Sequence, residues 1–320
     1  MDMVVHINRW PVEAKEIWMI LCNNLLFPFF SSMRNRLAKL ALAIGRESAR
    51  REVEWMKRSQ PANLVECIDR RITGEPLQYI LGQFTRPPIP ALRSSYTGTS
   101  PFGPLDLLAR PPTLIPRTET EDWVIRLAST RTPSPTRPAR VLDLCTGSGC
   151  IPLLLCHLWP PASTRAVGVD ISPDAVRLAA DNTARSRTHE RQNTFTPLLA
   201  DIHDPHLLHR LDPPFDIITA NPPYIPLHEY HALPVSVKDY EDPRALIGDT
   251  DGLAFYRTIA ALLARNGLLA PHASIALEIG HDQARAVTHI LRSTPGLYLG
   301  PIEIWKDPWD KDRVVFARVA

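Results

Sequence analysis

The chain has 320 residues, a length that predicts roughly two domains with a sizeable hydrophobic core. Apolar residues make up 44% and charged residues 22%, a balance that excludes global disorder. The formal net charge of +2, mildly basic over residues 1–138 and mildly acidic beyond, indicates solvated surfaces more than an anionic partner. The five cysteines form no Cys-x-x-Cys pair, so the sequence predicts a reducing compartment, no disulfide framework and no metal site.

The first elements along the chain have the periodicity of helices. Apolar residues recur at helical spacing within residues 12–58, and Gly45 marks a stop inside this run. The apolar stretch at 17–30 is interrupted by asparagines and a proline, so it is too short for a membrane span and indicates a buried helix. Pro61 opens a further short helix that ends before Gly74.

A proline-rich stretch separates these helices from the rest of the chain. Residues 86–112 are rich in Pro, Ser, Thr and Gly and predict a loop, with an extended segment at 102–109. The run Thr118–Glu121, followed by apolar residues at helical spacing, predicts a capped helix start. Three prolines within residues 132–138 predict a joint in the chain.

Beyond this joint, short apolar strands alternate with helices of ten to fifteen residues. Such alternation predicts an α/β domain with a doubly wound parallel sheet. The predicted strands are 140–144, 166–169, 195–199, 215–220, 274–279 and 313–319, and the predicted helices are 149–158, 173–186, 252–265 and 281–292.

A tight glycine turn follows the first of these strands. Residues 141–150 read Val-Leu-Asp-Leu-Cys-Thr-Gly-Ser-Gly-Cys, but Pro152 stands where a dinucleotide fingerprint needs glycine, and no P-loop lysine follows. Asp170 ends the next strand, a position from which a carboxylate accepts hydrogen bonds from ribose hydroxyls. A glycine turn with this acid suits a nucleoside cofactor without a pyrophosphate, which is S-adenosylmethionine. An ordinary strand–turn–helix is the alternative for the turn alone.

A second motif, Asn221-Pro222-Pro223-Tyr224, directly follows the predicted strand 215–220. Open α/β sheets bind ligands at such strand ends. The two prolines stiffen the loop and remove two N–H donors, so the backbone offers carbonyl acceptors. The Asn221 side-chain oxygen and the Pro222 carbonyl can together accept both hydrogens of an NH₂ group, and Tyr224 can stack on a flat target. A polar turn with prolines is the structural alternative.

With these motifs the chain resembles the HemK/PrmC family of release factor N5-glutamine methyltransferases over nearly its whole length. The Asn-Pro-Pro-Tyr motif alone also occurs in amino-group DNA and RNA methyltransferases, so the combination of segments makes the resemblance specific. The segments are Asp143–Gly149, Asn221–Tyr224, Gly74–Gly82, Leu114–Glu121, Glu241–Leu246, Asp251–Leu253 and Glu278–Gly280.

The resemblance implies a fold and a domain division. A small N-terminal helical domain at 1–83 helps to hold the release factor, a Pro-rich hairpin linker spans 84–117, and a seven-stranded S-adenosylmethionine-dependent methyltransferase domain spans 118–320. It also implies methylation of the glutamine in the release factor's Gly-Gly-Gln loop, in support of translation termination. We expect a monomer without membrane or stable nucleic-acid binding, located in the mitochondrion, with the cytoplasm as the alternative.

The resemblance also implies roles for particular residues. The cofactor S-adenosyl-L-methionine would contact Cys145, Thr146, Gly147, Ser148 and Gly149 with its methionine part, Asp170 with its ribose, and Asp201 and Ile202 with its adenine edge. Asn221 also faces the cofactor. The glutamine substrate would be received by Asn221, Pro222, Pro223 and Tyr224, of which Asn221, Pro222 and Tyr224 would be catalytic.

The chain departs from the family pattern at a few positions. Cys145 stands where glycine is usual, Ile202 is smaller than the aromatic residue often found there, and 84–101 looks like an insertion.

Two other function classes compete with the main hypothesis. A nucleic-acid amino methyltransferase would want a basic recognition module, which residues 1–90 do not resemble. A catalytically silent scaffold is disfavoured by the intact Asn221 and Asp170.

Overall fold

The computed structural model of this chain describes residues 27–59, 63–81, 98–186 and 188–320. The chain divides into two units, residues 1–84 and 85–320. Among the described residues, no helix combines the length and the apolar character that crossing a membrane requires.

Helices make up the described part of the first unit. They are α1 (Phe27–Ile44), α2 (Arg46–Ser59), α3 (Leu64–Ile72) and the short α4 (Leu77–Ile80). Gly45 separates α1 from α2 with a φ of +83°, a conformation that glycine adopts without strain, which confirms the predicted stop. The buried side chains of this unit include Leu40, Met56, Ile68 and Ile80. The predictions for residues before 27 and for Pro61 lie outside the described residues.

The second unit begins, in its described part, with a β-hairpin. Strands β1 (Gly98–Phe102) and β2 (Leu105–Ala109) pair antiparallel. Alternate side chains, Phe102, Leu105 and Leu107, enter the core, and this pattern is typical of a strand with one buried face. The predicted loop is therefore wrong over 98–101, where β1 lies, and the extended segment predicted at 102–109 is confirmed in β2.

Seven strands form the central sheet of this unit. They are β3 (Ala139–Leu144), β4 (Thr164–Asp170), β5 (Thr194–Leu199), β6 (Phe215–Ala220), β7 (Leu269–Glu278), β8 (Leu299–Lys306) and β9 (Asp312–Val319). Their order across the sheet is β5-β4-β3-β6-β7-β9-β8, and β9 alone runs antiparallel to both its neighbours. The predicted doubly wound sheet is confirmed. Strand β8 escaped the sequence prediction because it is a half-exposed edge strand without a continuous apolar run.

Helices pack on both faces of the sheet. The longer ones are α5 (Thr118–Ser129), α6 (Cys150–Leu158), α7 (Pro173–Ser186), α12 (Ala254–Leu263) and α13 (Ala284–Ser293), and one-turn helices are α8 (Leu207–Arg210), α9 (Leu227–Tyr230), α10 (Val235–Lys238) and α11 (Pro243–Leu246). Helix α5 starts where predicted, but no side chain caps it. The predicted joint at 132–138 is a turn between α5 and β3 inside this unit.

The strands in the middle of the sheet are buried on both faces. In β3, Leu142 and Leu144 pack into the cluster that contains α12 and α13, while Val141 packs into the cluster that contains α5 and α6. Such strands have near-continuous apolar sequences, which explains why the sequence revealed them.

One buried asparagine links the hairpin to the glycine turn. The Asn182 side-chain oxygen accepts from the Leu108 N–H at 2.7 Å, and its amide nitrogen donates to the carbonyls of Leu108 and Ser148 at 3.2 and 3.0 Å. Because Asn182 and Ser148 are buried, these hydrogen bonds hold the hairpin against the turn that follows β3.

Candidate active site

The glycine turn between β3 and α6 carries three residues in the left-handed region. The φ angles are +57° at Cys145, +56° at Gly147 and +78° at Gly149. At Gly149 a Cβ would stand 2.6 Å from the Phe195 ring, so both the backbone and the packing require glycine there. At Gly147 a Cβ would meet no atom within 4 Å, which leaves the inner side of the turn open to a ligand.

A buried carboxylate, that of Asp143 in β3, holds this turn in place by hydrogen bonds. Asp143 accepts hydrogen bonds from the hydroxyls of Thr146, in the turn, and Thr219, in β6, each at 2.6 Å. Burial raises the pKa of Asp143 to about 7, although the two hydroxyl donors act in the opposite direction. Thr146 is therefore part of the framework: its hydroxyl faces Asp143, and a Cβ at Gly168 would lie 2.4 Å from it.

Asp170, at the end of β4, also holds the turn by a hydrogen bond. One carboxylate oxygen accepts from the Gly147 N–H at 2.8 Å and the other from the Ser172 N–H at 2.9 Å. Burial raises the pKa of Asp170 despite these two donors. Each carboxylate oxygen keeps a further lone pair, so Asp170 can hold the turn and still accept from ligand hydroxyls.

A cavity of about 290 Å³ opens at this edge of the sheet, where β3, β4 and β6 end. It brings together seven of the residues singled out from the sequence, namely Cys145, Gly147, Asp170, Asp201, Ile202, Asn221 and Pro223. The others are not among the lining residues: Thr146, Ser148 and Pro222 are buried, Gly149 opens α6, and the Tyr224 ring packs partly against the core.

Asp201 follows β5 and presents a carboxylate at the cavity. One of its oxygens lies 2.9 Å from the backbone nitrogen of His203, which donates to it, and 2.9 Å from the His203 Nδ1 atom. These contacts hold the pKa of Asp201 below its usual value. The His203 ring in turn meets Phe255 edge-on at 5.7 Å, so the ionised carboxylate has a fixed orientation.

The Asn-Pro-Pro-Tyr loop leaves β6 with its backbone supported on one side. A Cβ at Gly248 would lie 2.6 Å from the Pro223 carbonyl oxygen, so this loop packs directly on the backbone of residues 248–252. The Gln283 amide nitrogen donates to the Tyr224 carbonyl at 2.9 Å, and the Gln283 oxygen accepts from Gly280. Nothing in the sequence marked Gln283, because a single glutamine before a helix has no distinctive pattern.

The segment around α11 also borders the cavity, and the sequence analysis assigned it no role. Its Asp242 N–H donates to the Pro112 carbonyl at 2.7 Å, and Arg244 lines the cavity. Glu241 is buried, and both of its carboxylate oxygens accept from one Arg117 guanidinium nitrogen, at 2.7 and 2.6 Å. Burial raises the pKa of Glu241, and the Arg117 charge opposes this shift. The only sequence feature that pointed to these residues was the resemblance of segments 114–121 and 241–246 to the family.

The arrangement favours binding and orientation over metal chemistry. In the described part of the chain, no three His, Cys, Asp or Glu side chains stand close enough to hold a metal ion. The cavity instead offers a backbone turn with room beside it, two oriented carboxylates and a loop of hydrogen-bond acceptors. Such an arrangement can bind a polar ligand with hydroxyl groups beside Asn221.

Comparisons with known proteins find relatives that share one name. The chain is 35% identical to a release factor glutamine methyltransferase of Geobacter sulfurreducens over 300 residues, which cover 86% of this chain and 91% of the relative. It is 38% identical to the Rhodospirillum rubrum protein of the same name over 263 residues, covering 81% and 74%. It is 31% identical to the human MTRF1L release factor glutamine methyltransferase over 258 residues, covering 79% and 70%.

A solved structure is also similar. It is the release factor-specific protein-(glutamine-N5) methyltransferase of Alicyclobacillus acidocaldarius, 27% identical, with a TM-score of 0.37 and coverage of 64% of this chain and 94% of that one. No protein-family model matches the chain.

The raised pKa of Asp143 predicts a pH-dependent stability. An unfolded aspartate titrates near ~3.9, whereas the pKa of folded Asp143 is about 7. Between these values the folded protein keeps a proton that the unfolded chain releases, so the free energy of unfolding falls as pH rises, by about 1 kcal/mol per pH unit. We expect Asp143→Asn to lose this contribution.

Urea unfolding of the wild type and Asp143→Asn at pH 5, 6 and 7 measures the effect. The free energy of unfolding of the wild type minus that of the variant should decrease steadily over this range. A difference that stays constant with pH would contradict the assigned titration.

Proposed function

Because the chain belongs to the release factor glutamine methyltransferase family, we propose that it methylates the N5 atom of the glutamine in the Gly-Gly-Gln loop of a class 1 peptide-chain release factor. The methyl donor is S-adenosylmethionine, and the reaction supports translation termination. The observation that carries this function is the opening of the Asn-Pro-Pro-Tyr loop onto the same cavity as Asp170 and Asp201. On this proposal the cofactor site and the amide-accepting loop are adjacent.

The residues of the cavity fit the proposed cofactor. When bound, S-adenosylmethionine supplies an electrophilic methyl group on a positively charged sulfur. The open space beside Gly147 would accommodate the methionine part, and the remaining lone pairs of Asp170 would accept from the ribose hydroxyls. Asp201, whose pKa is lowered by its contacts with His203, would line the adenine edge together with Ile202. A lining with several carboxylates suits a cationic ligand.

The Asn-Pro-Pro-Tyr loop would orient the glutamine side chain. An amide nitrogen is a poor nucleophile because its lone pair is delocalised into the carbonyl group. We infer that the Asn221 side-chain oxygen and the Pro222 carbonyl accept its two hydrogens and favour the charge that develops on nitrogen. With the prolines buried and the loop packed on residues 248–252, these acceptors keep their positions during the reaction. Tyr224 would close the substrate side.

We propose that the helical domain at 1–83 helps to hold the release factor and that 84–117 links it to the catalytic domain at 118–320, in a monomeric enzyme. The support is the resemblance of the segments at 74–82 and 114–121 to the family. The alternative of a nucleic-acid amino methyltransferase is not favoured, because the relatives that cover most of the chain are named for release factors.

We predict that Asp170→Ala weakens S-adenosylmethionine binding roughly 10- to 100-fold. The ribose hydroxyls lose a charge-assisted acceptor worth about 1.5–3 kcal/mol, and the Gly147 and Ser172 N–H groups lose their partner. Calorimetric titration gives the affinity. Asp174→Ala removes a half-exposed carboxylate four residues away, which forms an ion pair with Arg177 on its own helix, and serves as the matched control. Equal affinity of Asp170→Ala and the control would remove Asp170 from the site.

We predict that Asn221→Ala lowers the rate of methyl transfer by ~10²–10³, because a preorganised contact at the reacting nitrogen is lost. Cofactor affinity should stay within a few-fold of the wild type. The assay follows labelled methyl transfer to a release factor, with a Gln→Ala loop as substrate control and Asn266→Ala, at an exposed turn before β7, as enzyme control. Partial activity of Asn221→Asp would indicate that acceptance by the side-chain oxygen dominates. Wild-type turnover by Asn221→Ala would refute this mechanism.

We also propose that the protein is located in the mitochondrion, with the cytoplasm as the alternative. The support is the likeness of the N-terminal helical arrangement to organellar family members. Expression of the full chain with a C-terminal fluorescent tag in eukaryotic cells tests this location. Coincidence with a mitochondrial marker is expected, and a diffuse cytosolic signal would favour the alternative.

A further inference from the structure

A buried acid that the proposed reaction does not use lies at the carboxyl end of β7. Glu278 is 1% exposed, and one of its oxygens, Oε2, accepts two hydrogen bonds. The donors are the Thr120 hydroxyl at 2.6 Å and the Trp123 indole nitrogen at 2.7 Å, both in the first turns of α5. Burial raises the pKa of Glu278, and both donors favour its ionised form.

The chemistry of these groups determines the direction of each hydrogen bond. An indole N–H can only donate, so the Glu278 Oε2 atom acts as an acceptor. The Thr120 hydroxyl has one hydrogen, which it gives to the same oxygen at 2.6 Å. The Thr120 oxygen therefore presents only lone pairs to any other neighbour.

That other neighbour is the side chain of Asn221. Its amide nitrogen lies 3.4 Å from the Thr120 oxygen. An asparagine amide has a donating and an accepting half that are almost equal in shape. Because Thr120 can only accept here, the donating half faces Thr120, and the Asn221 oxygen is turned away from it.

We propose that Thr120 and Glu278 are positioning residues that hold the Asn221 amide with its oxygen toward the methyl acceptor. This inference rests on the proposed function, in which that oxygen accepts from the substrate NH₂ group. A flipped Asn221 amide would turn its own NH₂ group toward the NH₂ group of the substrate glutamine. Both groups are hydrogen-bond donors, so they would form no hydrogen bond. The long 3.4 Å contact contributes little to the stability of the fold, but it distinguishes the two orientations.

The test is the kinetics of Thr120→Val in the full-length chain with a release factor as substrate. Valine keeps the shape of threonine and removes the oxygen, so Asn221 loses the acceptor that orients it. We expect kcat to fall roughly 10- to 100-fold, with KM for the release factor and Kd for S-adenosylmethionine within a few-fold of the wild type. Thr120→Ser, which restores the hydroxyl, should recover most of kcat. Should the valine variant not fold, Thr120→Ala removes the same oxygen without overpacking.

Thr164→Val is the matched control. Thr164 is 1% exposed and its hydroxyl has no hydrogen-bond partner among the described residues, so the same substitution removes a hydroxyl that orients nothing. Its kcat and KM should equal those of the wild type.

A double variant separates positioning from general support of the fold. If Thr120 acts through Asn221, then Thr120→Val combined with Asn221→Ala transfers methyl groups no more slowly than Asn221→Ala alone. Losses that multiply would overturn the proposal, as would a wild-type kcat in Thr120→Val or a loss that Thr120→Ser does not recover. Failure of the wild type to methylate the glutamine would instead refute the proposed function, so the two failures are distinguishable.

Discussion

Two short hydrogen bonds to one buried carboxylate fix the distance between the two halves of the site. Asp143 lies in β3 and accepts from Thr146 in the glycine turn and from Thr219, two residues before Asn221. The glycine turn and the Asn-Pro-Pro-Tyr loop are thereby attached to the same side chain. Methyl transfer needs the donor and acceptor atoms in line and close together, so a rigid link between these loops matters more than the strength of either bond.

The same device recurs at the neighbouring strand ends. Asp170 ends β4 and holds Gly147, and Glu278 ends β7 and holds Thr120 and Trp123. Burying a carboxylate is unfavourable unless donors compensate it, and each of these acids has two donors within 2.9 Å. The raised pKa values of all three acids are the remaining cost of burial. These three buried acids therefore fix the positions of the backbone and side-chain groups that donate hydrogen bonds to them.

The sequence predicted seven of the residues that line the cavity, because they lie in short contiguous segments. These segments are a glycine turn, acids after strand ends and the Asn-Pro-Pro-Tyr loop, and the parallel strands of the sheet place their carboxyl ends at one edge. Contacts across long distances in the chain had no local signal. The bond from Thr120 to Glu278 spans 158 residues, and that from Gln283 to Tyr224 spans 59.

The predictions of secondary structure also succeeded where a local sequence signal exists and failed where it does not. Strands buried on both faces, such as β3 and β6, have continuous apolar sequences and were found close to their true bounds. The edge strand β8 and the hairpin arm β1 expose one side, contain prolines and resemble loops in composition. The one-turn helices α8 to α11 are too short for periodicity to reveal, although α11 borders the cavity.

Cys145 shows how a departure from the family pattern is accommodated. With a φ of +57° its backbone is in the region that favours glycine, which costs a residue with a Cβ about 1 kcal/mol. The side chain packs partly against the core and lines the cavity. A thiolate there would be a nucleophile beside the transferred methyl group. Burial and the charges of Asp170, Asp143 and Asp201 raise the pKa of the thiol well above its usual value. The thiol therefore stays protonated, so in the proposed reaction Cys145 would not compete for the methyl group.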